Sequence, residues 1–384
     1  MKIIRPITIT DGMITGSNVP ETEYSAYNAG TTYSGGDRAI SAHKIYESLT
    51  PTAREILTLD VAPSIPWLPG QTLTGQTSGK TCTVVAYITA LTYFVKDRSG
   101  TFTLGEIVGV TGNALLLADQ GAANPTFANA PNVGHDPATD VALDTPLWWK
   151  EVSATNRWKA FDNKVGSQTS QATSITYEIT PGEIFDSIAF INLDAVSVQI
   201  VLTDPVEGEV YNETVDLLTT LVSGSATVID WYTYFFSNIV KTTDFVKFDI
   251  PPYLNGVLDI TITYAGGTAK VGGIVLGIGT TIGTTRYNPS IGIHDYSTKD
   301  ADEYGVYSIT EKAFSKKVSC DVVIQNVSLD EIQNLFALYR ATALVYVVSE
   351  SYSSLIVYGF YKDFNIVLPY PNFSECTIEI EGLT

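Results

Sequence analysis

Runs of alternating apolar and polar residues fill much of the chain between positions 153 and 283. Alternation with a period of two predicts strands that bury one face and expose the other to solvent. We therefore expect this region to form an antiparallel β-sandwich. The predicted strands are Ser174–Ile179, Ser187–Leu193, Ser197–Thr203, Phe245–Ile250, Val257–Tyr264 and Lys270–Ile278.

One segment near the C-terminus has the periodicity of a helix. Ser328 is a typical N-cap residue, and Asp330 and Glu331 follow in the first turn, where acidic side chains favour a helix. We predict one amphipathic helix over 328–341, surrounded by strands. The apolar residues at helical spacing are Ile332, Leu335, Phe336, Leu338 and Tyr339. The surrounding strands are predicted at Val318–Ile324, Leu344–Ser349, Leu355–Tyr361 and Cys376–Glu381.

The first half of the chain is divided by a shift in composition. Leu68–Gly79 is echoed by Leu104–Gly112, and alternating apolar residues bounded by glycine lie between them. This pattern predicts a small antiparallel barrel or meander, inserted into a second module. The predicted fold is mainly β, with several antiparallel β-sandwich or barrel modules and a C-terminal α+β domain containing the helix. The predicted domains are an N-terminal arm (1–25), a split aromatic module (26–58 plus 131–152), the inserted β-domain (59–130), the β-sandwich (153–283) and the α+β domain (284–384).

Charge and composition narrow the possible partners. The 384 residues include 41 acidic and 22 basic side chains, a formal net charge of −19. Such a chain is repelled by phosphate backbones and anionic lipids, so neither nucleic-acid binding nor membrane insertion is expected. No apolar run has the length of a membrane span, and the first residues do not resemble a secretory signal, so we expect synthesis in the cytosol. Three cysteines at spacings that match no metal motif are expected to be free buried thiols.

Two aromatic, turn-rich segments lie far apart in the sequence. Residues 26–48 combine tyrosines with a Gly-Asp turn, and residues 144–152 contain two adjacent tryptophans. Together they resemble the chitin-binding carbohydrate-binding modules of types 5 and 12. The resemblance implies recognition or assembly at a surface and not catalysis. The candidate contacts for a glycan or a protein partner are Tyr27, Tyr46, Trp148 and Trp149.

The same aromatics could instead form the core of a small module, which has few other large apolar side chains. We expect Tyr33 and one tryptophan to lie in that core. Because adjacent residues of a strand point to opposite faces, one of Trp148 and Trp149 is expected inside and the other outside.

Further segments resemble known families. Trp158–Asp162, followed by Ser187–Ile191, resembles the galactose-binding-like jelly rolls of the discoidin type. Residues 148–170 and Ile378–Leu383 are similar to strings found in structural proteins of tailed bacteriophages. These resemblances imply a virion structural protein from the tail tip, the baseplate or a fibre attachment point.

Motifs for catalysis are missing from the sequence. It has no nucleotide fingerprint, no phosphate loop, no His-Glu-x-x-His and no Gly-x-Ser-x-Gly motif. We therefore expect no catalytic residue, no cofactor and no metal site. Two acidic loops could in principle hold a cation, although carboxylates in such loops usually serve turns. They contain His135, Asp136 and Asp140, and Asp300, Asp302 and Glu303.

The predicted function is a non-enzymatic component of a phage tail, located in the virion. It would dock on other tail or baseplate proteins through its C-terminal domain, present its β-modules outward and form a homo-oligomer. The alternative is a receptor-binding protein that recognises a glycan on the host surface.

Overall fold

The computed structural model describes residues 1–49, 55–63, 65–110, 125–129, 135–142, 148–220, 239–301 and 303–384. The chain forms two compact units: a major unit of Met1–Glu23 and Ala154–Thr384, and a minor unit of Tyr24–Ser153. Strand makes up 51% of the structure and helix 8%. This confirms the prediction of a mainly β chain with several antiparallel sheets and one short helix near the C-terminus.

The first strands in chain order are β1 (Lys2–Pro6), β2 (Ile14–Ser17), β3 (Arg38–Ser41), β4 (Lys44–Ser48), β5 (Glu55–Thr58), β6 (Thr72–Gly75), β7 (Thr81–Thr89), β8 (Thr92–Lys96), β9 (Val108–Val110), β10 (Thr126–Asn129) and β11 (Trp149–Ala154). Those of the middle are β12 (Thr169–Ile179), β13 (Ser187–Ile191), β14 (Ser197–Asp204), β15 (Gly208–Asp216), β16 (Leu218–Thr220), β17 (Ile239–Lys241), β18 (Phe245–Lys247), β19 (Val257–Val271) and β20 (Gly273–Thr281).

The remaining strands are β21 (Thr284–Thr285), β22 (Ser290–Asp295), β23 (Thr298–Ala301), β24 (Tyr307–Thr310), β25 (Phe314–Gln325), β26 (Leu344–Val347), β27 (Ile356–Val367) and β28 (Phe373–Gly382). In the described ranges, the α-helices are α1 (Pro137–Val141) and α2 (Leu329–Leu338). Short 3-10 helices span Asp11–Met13, Lys159–Phe161, Asn326–Ser328 and Ser353–Leu355.

Two large sheets build the major unit. A ten-stranded sheet has the order β18-β13-β20-β1-β26-β27-β28-β25-β21, with β22 also paired to β25, and a five-stranded sheet has the order β15-β14-β19-β12-β2. Alternate residues of the five-stranded sheet pack against β13, β18 and β20, which makes this part a β-sandwich. Fully buried side chains of its core include Ile175, Tyr177, Phe190, Ile200, Ile260 and Leu276.

The first strand of the chain lies inside the ten-stranded sheet, between β20 and β26. Its residues Ile3 and Ile4 are both fully buried and enter different cores, because they point to opposite faces of the sheet. The backbones of β1 and β20 are so close that a Cβ at Gly277 would overlap the carbonyl oxygen of Arg5. The residues predicted as an N-terminal arm therefore supply a central strand of the major unit.

The predicted C-terminal helix is present as α2, which is shorter than the predicted 328–341. It buries Ile332 and Phe336 against the sheet formed by β25, β27 and β28. The Phe336 ring lies 4.9 Å from that of Phe364, and the Tyr361 hydroxyl donates to the Phe336 carbonyl oxygen at 2.9 Å. The apolar spacing of the sequence thus corresponds to the face that packs on the sheet.

In the minor unit, a six-stranded sheet has the order β10-β5-β8-β7-β6-β9 and a smaller sheet has the order β11-β4-β3. The buried carboxylate of Glu106 joins two turns of the larger sheet. It accepts hydrogen bonds from the backbone N–H groups of Thr77, Ser78 and Thr103, at 3.0, 2.8 and 2.6 Å, and from the Ser78 hydroxyl. Burial raises the pKa of Glu106, but the hydrogen bonds from Ser78, Thr103 and Thr77 outweigh it, so the pKa lies below its ordinary value.

Among the helices in the described ranges, none has the length and apolar character needed to cross a membrane.

Candidate functional site

The structure brings the four predicted contact residues of the aromatic module into one cluster. Trp149 lies at its centre and is fully buried. Its ring is 5.0 Å from that of Tyr33 and 5.8 Å from that of Tyr27, in edge-on arrangements. The indole N–H donates to the backbone oxygen of His135 at 2.9 Å. The indole N–H of Trp149 therefore has a hydrogen-bond acceptor, and its ring is packed against two tyrosine rings.

Trp148 is buried as well, with 2% of its surface exposed, so the expectation that one tryptophan would face outward is wrong. Its ring stacks on His135 at 4.7 Å and meets Phe94 edge-on at 5.1 Å. The two adjacent side chains do reach different neighbours, as the alternation of a strand requires. Both sides are covered, however, because β8 and the segment before α1 pack over Trp148.

A buried carboxylate positions the tryptophan pair. Asp140, in α1, accepts the backbone N–H of Trp148 at 2.8 Å and that of Trp149 at 2.9 Å. Asp136 caps the same helix and accepts from the N–H of Ala138 at 2.8 Å. Both carboxylates of this acidic loop thus bind backbone amides. Burial lowers the pKa of the neighbouring His135, an effect that Asp140 partly offsets.

Tyr46 is also buried, and burial raises the pKa of its hydroxyl to about 12. Of the four candidate contacts, only Tyr27 keeps part of its surface exposed; its ring stacks on Tyr33 at 5.8 Å. Direct glycan contact by these residues stays a prediction. Tyr27 and Tyr33 are the partly exposed tyrosines of the described cluster.

The second acidic loop lies on a projecting hairpin, with Asp300 in β23 and Glu303 in the turn that follows; Asp302 falls outside the described residues. Within the described ranges, no group of three or more His, Cys, Asp or Glu side chains is placed to hold a metal ion.

That projecting hairpin is a feature that the sequence analysis missed. It comprises β22, β23, β24 and the start of β25, residues 290–316, and is called the ribbon below. β22 pairs with β25 and β23 with β24, whereas β25 pairs with β28 only from Lys317 onward. Every residue of β22 and β24 is exposed. In the described part of the ribbon, most of the length is therefore two strands with no covering layer.

The ribbon is nevertheless amphipathic. Directly paired residues share a face, so the strand register shows which side chains lie on each face of the ribbon. One face of the base carries Ile291, Ile293 and Phe314, together with Asp295 and Lys316. One face of the outer half carries Ala301, Tyr307 and Ile309, together with Lys299. These charged side chains are paired, Lys299 with Asp295 and Lys316 with Asp244. The opposite faces carry Ser290, Gly292 and His294, and Thr298, Asp300 and Thr310. The sequence signal that could have predicted these strands is the alternation of apolar with polar or small residues at 290–293 and 308–310.

A second exposed apolar surface lies at the other end of β25. The turn between β27 and β28 meets the 3-10 turn before α2, where the Asn326 side-chain amide donates to the Tyr370 and Pro371 carbonyl oxygens at 3.0 and 2.8 Å. Val327, Val367, Leu368 and Tyr370 form what is called the turn patch below, and each is 52% to 89% exposed. Residues 364–374 contain no charged side chain.

A cavity of about 320 Å³ in the major unit is lined by Phe314, Lys316, Asp244 and Tyr358, among others. The Asp244 carboxylate accepts from the Asn192 N–H, the Thr243 hydroxyl and the Lys316 ammonium. Lys316 also donates to two backbone oxygens. This ion pair joins the segment before β18 to β25, so its carboxylate and ammonium groups link two distant parts of the chain.

Comparison with known proteins identifies no relative: no family model, no curated protein and no solved structure matches this chain.

Proposed function

We propose that the chain is a non-enzymatic structural component of a tailed-phage virion, of the tail-tip, baseplate or fibre-attachment type. Its C-terminal region docks on other tail proteins, and its other β-modules project outward. The observation that carries the proposal is the ribbon, a two-stranded hairpin whose apolar face is exposed. Isolated two-stranded hairpins are marginally stable in water, and large exposed apolar patches mark contacts with partners.

The hydrogen bonds of four carboxylates also support a structural role. Asp140 and Asp136 hold backbone amides, Glu106 joins two turns, and Asp244 is paired with Lys316. Each of these carboxylates stabilises the fold. The tail is proposed because residues 148–170 and Ile378–Leu383 resemble strings of phage structural proteins.

Mass spectrometry of purified virions tests the proposal. The phage that encodes the chain should carry it in the particle, and a version in which residues 296–313 are replaced by an Asn-Gly turn should fold but be absent from particles. Asn-Gly closes a two-residue hairpin, so the ten-stranded sheet is left intact. A Thr310→Asp protein, changed on the polar face, is the matched control. Normal incorporation of the shortened protein would show that docking uses another surface.

The second candidate is recognition of a host glycan, favoured by the partly exposed Tyr27 ring stacked on Tyr33. Flat aromatic faces suit the C–H groups of sugar rings. A glycan array with the purified chain tests it, with Tyr27→Ala as the variant. Absence of binding at millimolar sugar would remove this candidate and leave the structural proposal unaffected.

A further inference from the structure

The ribbon and the turn patch lie at opposite ends of one strand. Phe314, the first residue of β25, pairs with the ribbon, and Gln325, the last, pairs with Phe373 beside the turn patch. At about 3.3 Å per residue, the two surfaces are separated by roughly 35 Å of rigid sheet. The ribbon of one molecule continues away from its own turn patch, so the two surfaces of a single chain cannot cover each other.

The two surfaces are similar in size. The apolar side chains of the ribbon's two halves are Ile291, Ile293, Phe314, Tyr307 and Ile309, each between 53% and 68% exposed. From the usual areas of such side chains, the two halves together offer on the order of 600 Å² and the turn patch on the order of 450 Å². Covering both would bury about 1,000 Å² in total, which reaches the lower limit for a specific protein interface.

Charge favours contact between these two surfaces. The chain has a net charge of −19, so two copies repel each other over most of their surfaces. The turn patch is uncharged. On the ribbon's apolar face, Lys299 pairs with Asp295 at 2.7 Å and Lys316 pairs with Asp244. The carboxylate of Asp300 lies on the opposite face. The uncharged turn patch of a second copy can therefore cover the apolar face without bringing two acidic groups together.

We propose that the chain self-associates head to tail, with the apolar face of one copy's ribbon covering the turn patch of the next. Such a contact is heterologous, so repetition gives a closed ring or an open filament and not a two-fold dimer. The inference adds a specific contact to the proposed assembly role. It concerns the isolated chain, and it would stand if the protein were absent from virions.

Multi-angle light scattering of the purified full chain over a concentration series tests the self-association. Tyr307→Asp, directly opposite Ala301, should weaken it at least about tenfold, because a carboxylate would enter the apolar contact. Leu368→Asp should do the same from the other surface. Thr310→Asp, in the same strand but on the polar face, should leave it unchanged. All three side chains are exposed in the monomer, so equal thermal unfolding of the variants is expected.

Cross-linking decides which surfaces meet. The native cysteines are buried, so Tyr307→Cys and Tyr370→Cys introduce selective exposed thiols. Mixing the two single variants under mild oxidation should give disulfide-linked pairs that neither variant forms alone. Linkage of Tyr307→Cys to itself would mean ribbon-to-ribbon contact and would overturn the head-to-tail arrangement. A wild-type chain that stays monomeric at high micromolar concentration would overturn self-association altogether.

Discussion

Replacing Glu106 by Gln tests whether one buried carboxylate holds the minor unit together. The substitution keeps the shape of the side chain, which is necessary because the carboxylate fills the space beside Gly75, where a Cβ would lie 2.5 Å from it. It removes the charge and turns one oxygen into an N–H donor. The new amide can take two orientations. If its NH₂ replaces Oε1, only the backbone N–H of Thr103 loses its acceptor; if it replaces Oε2, the backbone N–H groups of Thr77 and Ser78 both do.

The magnitude follows from those contacts. A buried donor without a partner costs about 1–3 kcal/mol, and each of the two remaining backbone bonds loses about 1 kcal/mol when its acceptor becomes neutral. We therefore expect Glu106→Gln to lower the free energy of unfolding by about 3–5 kcal/mol. Urea denaturation of the full chain measures the loss, and hydrogen exchange in β6–β9 should locate it in the minor unit. Glu151→Gln, which breaks a partly exposed pair with Lys44, should cost less than about 1 kcal/mol.

The effect should depend on pH with a definite sign. The pKa of Glu106 is lowered in the folded chain, so the unfolded chain binds the proton more readily. The stabilisation is complete when the pH is above the ordinary glutamate pKa of about 4.3. It is lost as the pH falls through the lower pKa that Glu106 has in the folded chain. The difference between wild type and Glu106→Gln should therefore shrink below about pH 4. A loss under 1 kcal/mol at pH 7, or an undiminished difference in acid, would refute the reasoning.

Three further changes have defined outcomes. Gly277→Ala should destabilise the major unit severely in thermal unfolding, because the new methyl group meets the backbone of β1; Gly292→Ala, with open space around its Cβ position, is the control and should be tolerated. Asp140→Ala should cost about 2–5 kcal/mol in denaturation, since two buried amide donors lose their acceptor. Thiol labelling at pH 8 should modify less than one cysteine per native chain and all after unfolding, because burial raises the pKa of Cys82 to about 12 and of Cys320 and Cys376 to about 11.

Local patterns in the sequence determined the type of element. Period-two alternation from Ser197 to Thr203 corresponds to β14, and the apolar spacing after Ser328 corresponds to α2. These predictions succeed because the side chains of one element decide which of its faces is apolar, and this property depends on neighbours in the sequence. Strand lengths were less predictable: β19 extends to Val271, beyond the predicted Tyr264, because its outer part pairs with β12.

Only the tertiary structure decided which faces are covered. Alternation correctly sends Trp148 and Trp149 to different neighbours, but the rings that cover Trp148 come from β8, more than fifty residues earlier, and from His135, outside the strand. Alternation around Ile291 and Ile309 equally indicates a face that should be buried, but both side chains are exposed among the residues that the structure describes. Likewise, β1 lies between strands nearly 280 and 350 residues away. A sequence pattern specifies an apolar face, whereas its burial depends on which distant segment, or which second molecule, packs against it.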